Sequence, residues 1–231
     1  LTMMAQTVVE RRDSFEDVNL APEEEELTVK VVLVGDSSVG KTSLMRRFVA
    51  ATFDDTTTST IGIDFEYKSV RVGGQSVRVS IWDTCGAERF RSVATSYFRN
   101  AGVVVLVMDI ARPTQSSIDE WFREVRIANE TAPCVLVLNK VDLATAGQCR
   151  MALDAARDWA AMRNIGPECV LQTSARSGIG VDEVFYLAAT LAARYATAIR
   201  ARPATRGATS RAVVLTPPPE PSCRLGCCSS H

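Results

Sequence analysis

Short apolar runs rich in β-branched residues recur along this chain, at Thr28–Val34, 77–82, Val103–Met108, Cys134–Leu138 and Cys169–Leu171. Between them lie segments in which apolar residues return every three or four positions. Ile118, Trp121, Phe122 and Val125 form one such stripe; Val184, Phe185, Ala188, Leu191, Ala192 and Tyr195 form another. Strands that are apolar throughout belong in a parallel sheet covered on both faces, and the stripes supply the covering helices. Tyr67–Val72 and Ser76–Trp82 flank Gly73-Gly74, the pattern of a tight hairpin, so one edge strand is antiparallel. The pattern predicts an α/β domain with a six-stranded, mostly parallel sheet and helices on both faces.

Periodicity stops at both ends. Residues 1–27 are polar and finish in Glu23–Glu26, a self-repelling run that predicts a disordered acidic arm. Residues 199–231 are rich in Arg, Pro, Ser and Thr and predict a flexible tail. One domain, 28–198, remains. Its composition excludes several classes of function. A net charge of −1 makes no basic face for nucleic acid, and no apolar run is long enough to span a bilayer. Seven cysteines lack zinc-ligand spacing and predict reduced thiols, not a disulfide frame.

Chemistry concentrates at strand ends. Gly35-Asp36-Ser37-Ser38-Val39-Gly40-Lys41-Thr42 matches G-x-x-x-x-G-K-[ST] between the first strand and a helix, with Ser43 next in line. Glycines let backbone N–H groups converge on phosphates at the positive end of a helix. Lys41 then reaches the β- and γ-phosphates, and Thr42 offers its hydroxyl to Mg²⁺. Asp83-Thr84-Cys85-Gly86 has the D-x-x-G form: a strand-end carboxylate for the Mg²⁺ shell, and a glycine whose N–H approaches the γ-phosphate. Asn139-Lys140-Val141-Asp142 selects the base. A carboxylate at Asp142 accepts from both N1–H and the N2 amine of guanine, and adenine has no such donor pair, leaving a buried carboxylate unpaired. Asn139 can bridge this loop to the phosphate loop, and the Lys140 stem can lie over the ring. Only four positions carry Lys, against 22 with Arg, and two of the four are Lys41 and Lys140. A slim ammonium suits a phosphate nest or a base face where a planar fork does not.

With Thr60-Ile-Gly-Ile-Asp-Phe65, Ile81-Trp-Asp-Thr-Cys-Gly-Ala-Glu-Arg-Phe-Arg-Ser92, Tyr97-Phe-Arg-Asn-Ala-Gly102 and Thr173-Ser-Ala-Arg176, these motifs resemble the Ras superfamily of small GTPases. Within it they resemble the Rab branch. The resemblance covers 28–198 and implies the phosphate-loop GTPase fold, GTP and GDP as ligands, and Mg²⁺ held by Thr42, Thr60 and Asp83. It implies that Phe53 stacks on the base edge, that Gly86 meets the γ-phosphate, and that Ser174, Ala175 and Arg176 line the guanine pocket, with the Ala175 N–H on the guanine oxygen. Ile63, Phe65, Trp82, Phe90 and Tyr97 would face effectors, although packing explains Ile63 and Tyr97 equally well.

Three positions depart from the Rab pattern. Ala87 stands where the family carries the Gln that orients the attacking water, so no catalytic residue is intact and hydrolysis is expected to be slow. An activating protein of the TBC type would supply groups in trans. Cys85 replaces the usual Ala, either as an apolar filler or as a thiol near the nucleotide, and Ser38 replaces a common Gly. At the end of the chain, Cys227-Cys228 resembles the Rab site for two geranylgeranyl groups, and two lipids anchor where one does not. The implied protein is a monomeric switch on the cytoplasmic face of an endomembrane, with a cytosolic pool, regulating vesicle traffic. Its partners are effectors, an exchange factor, a GDP-dissociation inhibitor and the prenylation machinery. A GTP-locked scaffold and a soluble GTPase remain as alternatives.

Overall fold

The computed structural model describes residues 26–55, 60, 62–84, 96–112 and 115–201. Six strands run through them: β1 Leu27–Val34, β2 Ile63–Val72, β3 Gln75–Thr84, β4 Val103–Asp109, β5 Cys134–Asn139 and β6 Val170–Gln172. They form one sheet in the order β2-β3-β1-β4-β5-β6, parallel throughout except for β2, which runs antiparallel to β3 at one edge. This is the fold class that the apolar pattern predicts. The hairpin closes at Gly73 and Gly74 with φ of 58° and 87°, the pair of left-handed residues that a two-residue turn demands.

Among the described residues, four long helices cover the sheet: α1 Lys41–Ala50, α2 Gln115–Ala128, α3 Ala146–Ala161 and α4 Val181–Ala201. The continuous apolar strands follow from two separate cores. Val31, Leu33, Val105 and Val137 pack with Leu44, Met45 and Phe48 of α1 and Val184, Phe185 and Ala188 of α4. Their chain neighbours Val32, Val34, Leu106 and Leu136 turn to the other face and meet Ile118, Trp121 and Val125 of α2 and Trp159 and Ala160 of α3. Because side chains alternate along a strand, a strand buried on both faces leaves few positions for polar residues. Edge strand β2 shows the contrast, with half-buried and exposed positions along most of its length.

Two elements differ from the sequence expectation. Helix α3 is absent from the expected elements, although it buries Ala156, Trp159 and Ala160 along one face with Cys149, Ala152 and Leu153 half-buried beside them. It is fixed by a capping box in which the Thr145 side chain accepts from Gln148 N–H and the Gln148 side chain accepts from Thr145 N–H. Cys169 lies in the short 3-10 turn Pro167–Cys169, with proline at its start, and β6 begins only at Val170. Among the described residues, no helix is long and apolar enough to cross a membrane.

Candidate nucleotide-binding site

The phosphate loop spans the gap between β1 and α1 at the carboxyl end of the sheet, where ligands of open α/β folds bind. Two glycines in it are steric necessities. A Cβ on Gly35 (φ 143°) would stand 2.1 Å from the Val107 carbonyl oxygen, and one on Gly40 (φ 97°) would stand 2.3 Å from Asn139 Nδ2. Gly40 also caps α1 without a side chain, so the first N–H groups of that helix keep their capacity for an anion. Lys41 is buried, and its Nζ donates to the carbonyls of Gly35 and Asp36, both at 2.8 Å, which sets the ammonium inside the ring of the loop. Ser38 adopts φ 63°, a left-handed conformation that glycine takes without strain.

All three expected metal ligands come together. Thr42 Oγ1 donates to Asp83 Oδ2 at 2.5 Å and lies 2.7 Å from Thr60 Oγ1, which is itself 3.3 Å from Asp83 Oδ2. Among the described residues, the other carboxylate oxygen, Asp83 Oδ1, is buried and has no hydrogen-bond partner. Burial pushes the Asp83 carboxyl above its ordinary pKa, while the Thr42 hydroxyl and the Lys41 charge pull it back. An orphaned buried carboxylate oxygen beside two hydroxyls fits Mg²⁺, a hard cation that takes few protein ligands and completes its shell with phosphate and water.

Asn139, buried at the end of β5, joins three loops. Its Nδ2 donates to the Val39 carbonyl at 2.9 Å; its Oδ1 accepts from Thr173 Oγ1 at 3.1 Å and from Ala175 N–H at 3.2 Å. The resemblance gives that Ala175 N–H to guanine; in this structure it points at Asn139. Lys140 (φ 68°) stretches back over the phosphate loop, donating to the Ser38 carbonyl at 2.6 Å and pairing with Asp109 at 2.9 Å. Asp142 Oδ1 accepts from Ser174 Oγ at 2.6 Å, and the residue is exposed, so the buried carboxylate assumed from sequence requires a base to cover it. Phe53 is half-buried, with the Arg47 guanidinium 5.9 Å from its ring, and Arg176 reaches Asp55 at 3.6 Å.

The proposed effector residues form a continuous aromatic row. Phe65 and Trp82 are direct cross-strand partners with rings 5.8 Å apart, and Tyr97 lies 5.9 Å beyond Trp82. All three are half-buried, as is Ile63, which pairs with Thr84 at the start of the same ladder. Beneath them the Lys30 ammonium sits 4.1 Å from the Trp82 ring centre, and burial lowers its pKa to about 8. Cys85, Gly86, Ala87, Phe90, Cys227 and Cys228 lie outside the described residues.

Sequence reasoning passed over several residues of this region. Asp36 accepts from Trp121 Nε1 at 3.0 Å and from Ser117, which ties the phosphate loop to α2. Asp109 holds Lys140, and its only signal is its place at the end of β4. Arg47 reaches both Ala175 and Arg176, and nothing in a helix sequence marks it.

Loop, metal corner and base loops at one end of this sheet define the phosphate-loop small GTPase fold. A model of the Ras family matches residues 30–194. The chain is 39% identical to "GTP-binding protein YPTM1" of Zea mays (68% of this chain, 74% of that one). It is 38% identical to "Ras-related protein SEC4" of Saccharomyces cerevisiae (71% and 74%). With "Ras-related protein Rab-30" of Homo sapiens it shares 36% (72% and 80%). The chain belongs to the Ras family and is a Rab-type small GTPase.

Proposed function

We propose that this protein is a guanine-nucleotide switch that recruits partners to a vesicle membrane while it holds GTP and hydrolyses that GTP slowly. The observation that carries the reading is the set of bonds from Asn139, which fastens the base loops to the phosphate loop and makes one groove for one nucleoside triphosphate.

In that groove Gly35, Ser37, Ser38, Val39 and Gly40 present backbone N–H groups to the phosphates, with Lys41 against the β- and γ-oxygens and Thr42 and Ser43 at the start of α1. Thr42, Thr60 and Asp83 would hold Mg²⁺, which when bound neutralises charge on the β- and γ-phosphate oxygens. Asp142, steadied by Ser174, pairs with N1–H and the N2 amine of guanine. Phe53 and the Lys140 stem cover the base, and Arg176 closes the rim. Ala87 supplies neither donor nor acceptor to the attacking water, so intrinsic hydrolysis is slow and a TBC-type activating protein completes the site.

The row Phe65, Trp82 and Tyr97, extended by Ile63 and Phe90, meets effectors. Prenyl groups on Cys227 and Cys228 hold the chain on the cytoplasmic face of an endomembrane, and a GDP-dissociation inhibitor maintains the cytosolic pool. An exchange factor reloads it.

The base assignment is tested by Asp142→Asn. Xanthine carries a carbonyl where guanine carries its N2 amine, so an amide at position 142 can donate where the carboxylate accepts. Titration with both triphosphates should show preference moving from GTP toward XTP. Unchanged preference would contradict the role given to Asp142.

A further inference from the structure

Arg47 lies on the last turn of α1, away from the phosphate groove, yet each of its guanidinium nitrogens donates to a different backbone carbonyl. Nε donates to Ala175 at 2.8 Å, Nη2 to Arg176 at 2.7 Å and Nη1 to Ala51 at 2.9 Å. Two of these acceptors are consecutive residues of the guanine loop, 128 and 129 positions along the chain. The third is the left-handed residue (φ 55°) that ends α1 and leads to Phe53.

We propose that Arg47 is a positioning residue for the base, clamping the guanine loop to the segment that carries Phe53 so that the Ala175 amide and the Phe53 ring are presented together. The geometry supports this directly. Holding the carbonyls of residues 175 and 176 fixes the backbone at residue 176 and anchors the carbonyl end of Ala175, which narrows the range over which the N–H of that residue can swing. That N–H already has one acceptor, Asn139 Oδ1, at 3.2 Å. A guanine oxygen must compete for it, and a loop free to rotate would let the internal bond win. The same guanidinium lies 5.9 Å from the Phe53 ring. The Arg176–Asp55 pair joins the same two segments, but both partners are mostly exposed, so it adds little to the clamp. Only a planar fork can serve two adjacent carbonyls from one edge while its third nitrogen serves another; a lysine ammonium on a flexible stem cannot hold that arrangement.

The proposal rests on the guanine assignment made above, and the experiment separates the two. Full-length wild type, Arg47→Met and Arg47→Lys are titrated with GDP, with ADP and with the diphosphate of 2-aminopurine riboside, which keeps the N2 amine but lacks O6 and the N1 proton; the loss of the Asp142 contact is common to all three proteins and cancels when they are compared. Wild type should prefer GDP to both others; binding ADP as well as GDP would overturn the guanine assignment itself. Both variants should lose about tenfold in GDP affinity, the worth of one hydrogen bond, and much less with the 2-aminopurine analogue, which feels the clamp through Phe53 alone. Their discrimination on O6 therefore falls. An equal loss with both nucleotides, an unchanged GDP affinity, or full recovery in Arg47→Lys would overturn the clamp. Arg47→Lys keeps the stem and the charge and carries the test alone if Arg47→Met fails to fold.

Discussion

Asn139 and Val39 are joined across 100 positions of sequence by a 2.9 Å hydrogen bond from the Asn139 side-chain amide to the Val39 carbonyl. The contact is possible only because Gly40 beside it has no Cβ to strike the amide. It makes the phosphate loop and the base loops one unit. In Asn139→Ala the Val39 carbonyl, the Thr173 hydroxyl and the Ala175 N–H all lose this partner. With each unmet buried group costing about 1–3 kcal/mol, stability should fall by roughly 3 kcal/mol. Nucleotide affinity should fall by more than about a hundredfold. Thermal unfolding and nucleotide titration check both numbers, and unaltered affinity would show that the loops are held independently.

Lys30 imposes a penalty on the fold beneath the aromatic row. Its folded pKa of about 8 lies below the ordinary 10.5, so between these values the folded protein binds fewer protons than the unfolded chain. Stability attributable to this residue therefore rises as pH climbs from about 8 toward 10.5, and the full cost of burying the ammonium is present below 8. Trp82 offsets part of that cost through its ring face. Lys30→Met should be more stable than wild type at pH 7 by on the order of 1 kcal/mol. The advantage should shrink by pH 10, as denaturant melts at the two pH values will show. A constant difference would mean the charge is not the cause.

Position 87 sets the rate of hydrolysis in this account. Ala87→Gln restores an amide able to orient the attacking water, and single-turnover GTP hydrolysis should quicken by roughly tenfold or more. Equal rates in the two proteins would remove Ala87 from the explanation.

Membrane attachment is expected to depend on the paired cysteines. Cys227→Ser with Cys228→Ser should move the protein from the membrane pellet to the supernatant on fractionation of cells, because neither lipid can then be added. An unchanged distribution would favour the soluble GTPase.

What could be read from the chain alone depended on how local each signal was. The phosphate loop and the Gly73-Gly74 hairpin were legible because left-handed backbone and close approach leave a choice of few residues. The two-faced sheet was legible because Val31 and Val32 are both apolar and belong to opposite cores. Helix α3 is hard to read because exposed Met151 and Ala155 blur the stripe of Cys149, Ala152, Leu153, Ala156 and Trp159, and its clearest local marker is the Thr145–Gln148 capping box. Arg47, Lys30 and Asp109 were missed for a different reason: their partners are backbone carbonyls, a ring face and a lysine from distant strands and loops. No spacing rule encodes such meetings. The exposure of Asp142 also escaped, since burial of a loop carboxylate by a ligand cannot be told in sequence from burial by the fold.

Whether the groove holds a guanine nucleotide is decided by chromatographic identification of what leaves the purified full-length protein on denaturation. Guanine nucleotide is expected at about one per chain, with GTP in excess of GDP because position 87 lacks an amide. Adenine nucleotide, or an empty protein that takes up no added GTP in the presence of Mg²⁺, would contradict it.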